Sequence, residues 1–73
     1  MEGTIKRVMA DRGYGFIHGQ NGQEIFFHRL DLRGISWKET YPGQHVEFDL
    51  CQTDKGPRAR KVKLSWTRLA AAS

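Results

Sequence analysis

Residues 46–51 read Val-Glu-Phe-Asp-Leu-Cys, an unbroken alternation of apolar and polar side chains. In an extended strand successive side chains point to opposite faces, so Val46, Phe48 and Leu50 share one face and Glu47, Asp49 and Cys51 the other. The same period-2 character recurs in short runs along the chain, and strongly periodic helical segments are absent. The runs predict strands over residues 3–9, 14–18, 24–28, 44–51 and 58–64, with Val62 and Leu64 inward on the last. Between them, Asp11-Arg12-Gly13 and Thr53-Asp54-Lys55-Gly56-Pro57 carry turn chemistry. Asn21-Gly22 is a strong hairpin signal and makes the second and third strands antiparallel neighbours. Residues 29–42 form a longer, irregular connection. Five short strands in 73 residues favour a closed or nearly closed antiparallel β-barrel over a sandwich, because closure hides strand edges that would otherwise pair with other chains.

A chain of this length holds one domain. The expected division is a barrel domain over residues 1–66 and a tail over residues 67–73, with Trp66 able to pack back onto the barrel. Hydrophobic residues are only 38% of the chain, so the core is thin. The single cysteine, Cys51, excludes an intramolecular disulfide and a Cys-based zinc site. His18, His28 and His45 lie in separate segments with no acid or thiol cluster at ligand spacing, so no metal or other cofactor is expected. No Ser-His-Asp arrangement, Gly-rich phosphate loop or paired carboxylates appear, which argues against an enzyme and against a small-molecule substrate. No apolar run approaches the ~18–20 residues that span a bilayer, and the first residues lack the apolar stretch of a signal peptide, so the expected location is cytoplasmic. Twelve Lys and Arg against eight acids give a net charge of +4, a potential that draws polyanions, though such an excess also serves solubility alone.

Half of the chain's Phe, Tyr and Trp residues fall within Arg12-Gly-Tyr-Gly-Phe-Ile17 and Ile25-Phe-Phe-His28. If Ile17, Ile25 and Phe27 face the core, then Tyr14, Phe16, Phe26 and His28 face outward on two adjacent strands as one patch. The reversed register would bury His28 and a tyrosine hydroxyl in need of partners and expose Ile17, Ile25 and Phe27. Outward rings bordered by cations suit unpaired nucleobases, which stack on aromatic faces while Lys and Arg attract the phosphates. Gly13 and Gly15 would then let a ligand approach the backbone closely. A docking surface for a polypeptide is the alternative use of such a patch.

These residues resemble a known family. Arg12-Gly-Tyr-Gly-Phe-Ile17 and Ile25-Phe-Phe-His28 are similar to the two ribonucleoprotein motifs of the cold-shock domain. Gly3-Thr-Ile-Lys6, Gly43-Gln-x-Val-x-Phe48 and Lys55-Gly-Pro-x-Ala59 match its remaining strands and turn in order and spacing, over residues 2–64. The resemblance implies a five-stranded antiparallel OB-fold barrel that binds single-stranded RNA or DNA, with little sequence selectivity and with RNA-chaperone activity. By position it assigns stacking to Tyr14, Phe16, Phe26, His28 and Trp37, and backbone contacts to Lys6, Arg12 and Lys55; Arg7, Arg29, Arg58 and Arg60 add phosphate attraction. A monomer or weak dimer is expected.

Departures from the family pattern carry their own expectation. Where the family reads Lys-Trp-Phe-Asn, this chain has Lys6-Arg7-Val8-Met9, and Arg29 follows His28. Arg58, Arg60, Lys61 and Lys63 make the end unusually basic. The surface should therefore lean from ring stacking toward electrostatics, with a steeper salt dependence.

Overall fold

Five strands wrap into a closed barrel in the order β1-β2-β3-β5-β4, with β1 paired again to β4. The computed structural model describes residues 1–65, so the expectations about Trp66 and the tail lie outside the described residues. The strands are β1 (Glu2–Met9), β2 (Tyr14–Gly19), β3 (Glu24–His28), β4 (His45–Thr53) and β5 (Gly56–Leu64). Two short 3-10 turns, Arg29–Asp31 and Trp37–Glu39, lie in the long connection. Ile5, Ile17, Ile25, Phe27, Leu32, Val46, Phe48, Ala59 and Val62 form the core.

Pairing is antiparallel everywhere except between β3 and β5, where Phe26 lies opposite Arg58 in parallel. The expected five-stranded antiparallel barrel is thus present, with this one parallel junction added. An odd number of strands cannot alternate direction all the way round a closed ring, so closure itself demands a parallel junction. The chain prepares it by running on past β3, where Leu32 bridges Val62 in parallel and the Arg33 N–H donates to the Val62 carbonyl at 2.7 Å.

The β2–β3 hairpin forms as expected, but its loop is longer than a two-residue turn. The Gly19 N–H donates to the Gln23 carbonyl, so Gln20, Asn21 and Gly22 make the reversal. Gly22, at φ 78°, supplies the left-handed residue that such three-residue loops need.

Two strands carry an extra residue. On β1 the register slips between Ile5, opposite Ile17, and Arg7, opposite Phe16. On β5 it slips where Glu47 faces Lys63 and Asp49 faces Arg60. Each bulge turns two consecutive side chains outward, Lys6 with Arg7 and Arg60 with Lys61, while the flanking apolar residues stay inward. Lys61 takes up the second bulge at a left-handed φ of 54°. Leu64, expected inward, is half-buried at the strand's end opposite Val46 and lies outside the core cluster.

Candidate nucleic-acid interface

β2 and β3 bury Gly15, Ile17, Ile25 and Phe27 and leave Tyr14, Phe16, Phe26 and His28 half-buried on the outer face, the register expected from the sequence. Tyr14 sits opposite His28, and Phe16 opposite Phe26. The three benzene-type rings form one cluster: centroids are 5.6 Å apart for Tyr14–Phe26, 5.9 Å for Tyr14–Phe16 and 6.1 Å for Phe16–Phe26. These are ordinary aromatic-pair distances, so the rings brace one another on the outer face of the two strands.

Register extends the Phe16–Phe26 pair into a row that crosses every strand. Arg7 lies opposite Phe16, Phe26 opposite Arg58, and Arg58 opposite Cys51. The Arg7 guanidinium carbon is 5.3 Å from the Phe16 ring centre, and that of Arg58 is 5.7 Å from Phe26. Both fall within cation–π range. The rings are thus bracketed by a guanidinium on each side, and Arg7 lies against a neighbouring ring as a second flat group.

The two brackets are anchored differently. Arg58 donates from Nε to Asp31 Oδ2 at 3.1 Å and from Nη2 to Oδ1 at 3.4 Å. Arg60 Nε also reaches Oδ1, at 3.3 Å. Asp31 is buried and accepts the His28 backbone N–H at 2.9 Å. Arg7 has no ion pair among the described residues. His28 caps the following turn, its Nδ1 accepting the Leu30 N–H at 3.1 Å.

Of the remaining expected cations, Lys55 lines one groove together with Phe16 and Phe26. Arg12, Arg29 and Lys55 are exposed and have no ion pair among the described residues. Lys6 Nζ meets Glu24 Oε2 at 3.3 Å across exposed surface. Lys55 is presented by a turn in which the Thr53 hydroxyl donates to the Gly56 carbonyl and accepts the Lys55 N–H. Between that turn and the rings runs a groove of about 600 Å³, lined by Phe16, Phe26 and residues 53–58. A groove of similar volume elsewhere, near Met1 and Phe48, mixes Glu2, Glu47 and Asp49 with Arg33, Lys61 and Lys63 and carries charges of both signs.

Trp37 is not brought into the three-ring cluster. Half-buried, it packs edge-on against the core ring of Phe27 with centroids 6.1 Å apart, and its Nε1 donates to the Ala10 carbonyl at 3.2 Å. The expected reason for the glycines also changes. A Cβ on Gly15 would stand 2.6 Å from the Arg7 carbonyl oxygen and 2.8 Å from Phe27 Cε1, so Gly15 is small for the core's sake. Gly13, at φ 76°, lies under the stem of Arg29, whose Cδ would be 3.3 Å from an added Cβ. Glycine here admits a neighbouring side chain and a left-handed backbone. The residue missed in the sequence is Asp31; its spacing to His28, matching a capping box, is the signal that could have found it.

Among the described residues no three His, Cys, Asp or Glu come together to hold a metal, and no helix is long and apolar enough to cross a membrane.

Comparison with known proteins agrees with this geometry. Residues 1–65 match the family model described as the 'Cold-shock' DNA-binding domain. The chain is 42% identical over 60 residues to Cold shock protein 1 of Lactiplantibacillus plantarum, covering 82% of this chain and 91% of that one. It is 40% identical over 63 residues to a cold shock-like protein of Aquifex aeolicus, covering 85% and 90%. Among solved structures, Drosophila Unr CSD456 matches with a TM-score of 0.68 at 25% identity over 88% of this chain, which spans 26% of that longer chain. Barrel and relatives together define an OB-fold domain of the nucleic-acid-binding class. Within that class, the chain belongs to the cold-shock domain family.

Proposed function

We propose that this protein binds single-stranded RNA or DNA by stacking bases on Tyr14, Phe16 and Phe26, with His28 at the cluster's edge and Trp37 as a further ring outside it. The observation that carries the reading is the outward three-ring cluster, bracketed by Arg7 and Arg58 and opening onto a groove. Base faces are hidden in a duplex, so a platform of this kind selects the open strand. Arg7, Arg12, Arg29 and Lys55 supply phosphate attraction, with Lys6, Arg58 and Arg60 contributing through their ion pairs. Binding the open strand more tightly than the paired one shifts RNA toward unpaired forms without catalysis, the action of an RNA chaperone or a modulator of transcription or translation in the cytoplasm.

Fluorescence anisotropy of a labelled oligothymidylate at low salt tests the reading. The expected result is saturable binding that is lost when the same sequence is presented as a duplex. Equal affinity for the duplex would reject it, and absence of binding to either would turn attention to the patch as a docking surface for a polypeptide.

A further inference from the structure

We infer that Asp31 is a positioning residue: its buried carboxylate holds the Arg58 guanidinium beside Phe26 as a third flat surface for a base. The inference rests on base stacking at the ring cluster.

Three features of the ion-pair cluster support it. First, the carboxylate is desolvated while its partners are not: Asp31 side-chain exposure is 5%, against 34% for Arg58 and 54% for Arg60. A buried charge must be paired, so Asp31 cannot release its cations to solvent without cost. Second, contact through both Nε and Nη2 fixes the plane of the Arg58 group as well as its position, which a single point charge would not do. Third, the chain contains its own comparison. Arg7 bears the same relation to Phe16 that Arg58 bears to Phe26, yet has no ion-pair partner among the described residues. One bracket has an anchoring carboxylate and the other has none among the described residues.

Charge alone does not explain the arrangement. A surface built only to attract phosphate would leave Arg58 and Arg60 unopposed, whereas Asp31 cancels one of their two charges. What the carboxylate provides is order: Arg58 is already held beside Phe26 before any ligand arrives, so less side-chain freedom is lost on binding. The same carboxylate accepts the His28 backbone N–H, so one buried group fixes the backbone at the start of the turn and the guanidinium on β5. Guanidinium planes stack on nucleobases as aromatic rings do. The row from Phe16 to Phe26 to Arg58 then offers successive flat surfaces.

The test compares an oligothymidylate with an abasic oligomer of the same length, so that the ratio of affinities isolates the contribution of the bases. Asp31→Asn should lower that ratio by about threefold or more, while abasic affinity holds or rises because a negative charge is gone. Arg58→Lys keeps the charge and loses the plane, and should lower the ratio with abasic affinity unchanged. It also decides the matter if Asp31→Asn fails to fold, since Asp31 keeps Arg60. An unchanged ratio in Arg58→Lys, with both oligomers shifting together, would overturn the inference and leave base stacking on the rings intact. A wild-type ratio near one would overturn both.

Discussion

The salt response of single-strand binding can be worked out from the ion pairs of the interface. Arg7, Arg12, Arg29 and Lys55, the proposed phosphate contacts, have no ion pair among the described residues. Arg58 and Arg60 share Asp31 and together supply one net charge. Lys6 and Glu24 pair across exposed surface and together add no net charge. With about five effective charges and a slope near −0.7 per phosphate neutralised on a single strand, log affinity should fall with log salt at about −3.5. Raising KCl from about 50 to about 200 mM should then weaken binding about 100-fold. Anisotropy titrations of a labelled oligothymidylate at several KCl concentrations measure the slope directly. Two substitutions should move it in opposite directions. Arg7→Gln removes a free charge and should flatten the slope by about 0.7, while Glu24→Gln releases Lys6 and should steepen it by about 0.7. A wild-type slope no steeper than about −1 would refute the charge assignment, as would identical slopes in the two variants.

Other consequences are as direct. Phe16→Ala combined with Phe26→Ala should cost ~2–6 kcal/mol of oligothymidylate binding if each ring carries one base, measured by the same titration. Gly15→Ala should lower unfolding free energy by ~1–3 kcal/mol in urea, because the new methyl meets the Arg7 carbonyl and the fixed ring of Phe27; an unchanged midpoint would show that β1 yields freely. Lys61→Gly should raise stability by up to about 1 kcal/mol by relieving the left-handed φ, and a loss would place Lys61 in some contact beyond its bulge. Trp37→Ala should lower stability by about 2 kcal/mol in urea, since its ring closes over Phe27.

Much of this was legible in the sequence because side-chain alternation is a local property. Val46 and Phe48 announced an inward face, and the paired motifs announced which rings face outward. Bulges were also written there, in a form easily passed over. Ile5 and Val8, like Ala59 and Val62, are three residues apart on one strand yet point the same way, which an unbroken strand forbids. Odd spacing between inward residues is therefore a bulge signal, and here it marks where two cations turn outward together. Asp31 was hidden for a different reason. Its burial depends on Arg58 and Arg60, which meet it only once the barrel closes. Gly15 read as a ligand feature because it sits within a ring motif, while the groups that demand a glycine there, the Arg7 carbonyl and the Phe27 ring, are brought to it only by tertiary packing; the contact of Trp37 with Phe27 is equally non-local.

The transverse run of the ring row has a mechanical meaning. Because Phe16 and Phe26 stand on neighbouring strands, their centres are 6.1 Å apart, wider than the ~3.4 Å rise between stacked bases in a helix. A nucleic acid that seats consecutive bases there must be drawn out along its length until the bases part from one another. If bases seat there as proposed, such a spacing would act as a gauge against an ordered, self-stacked single strand, and bound segments should gain contour length even where no pairing existed to be undone.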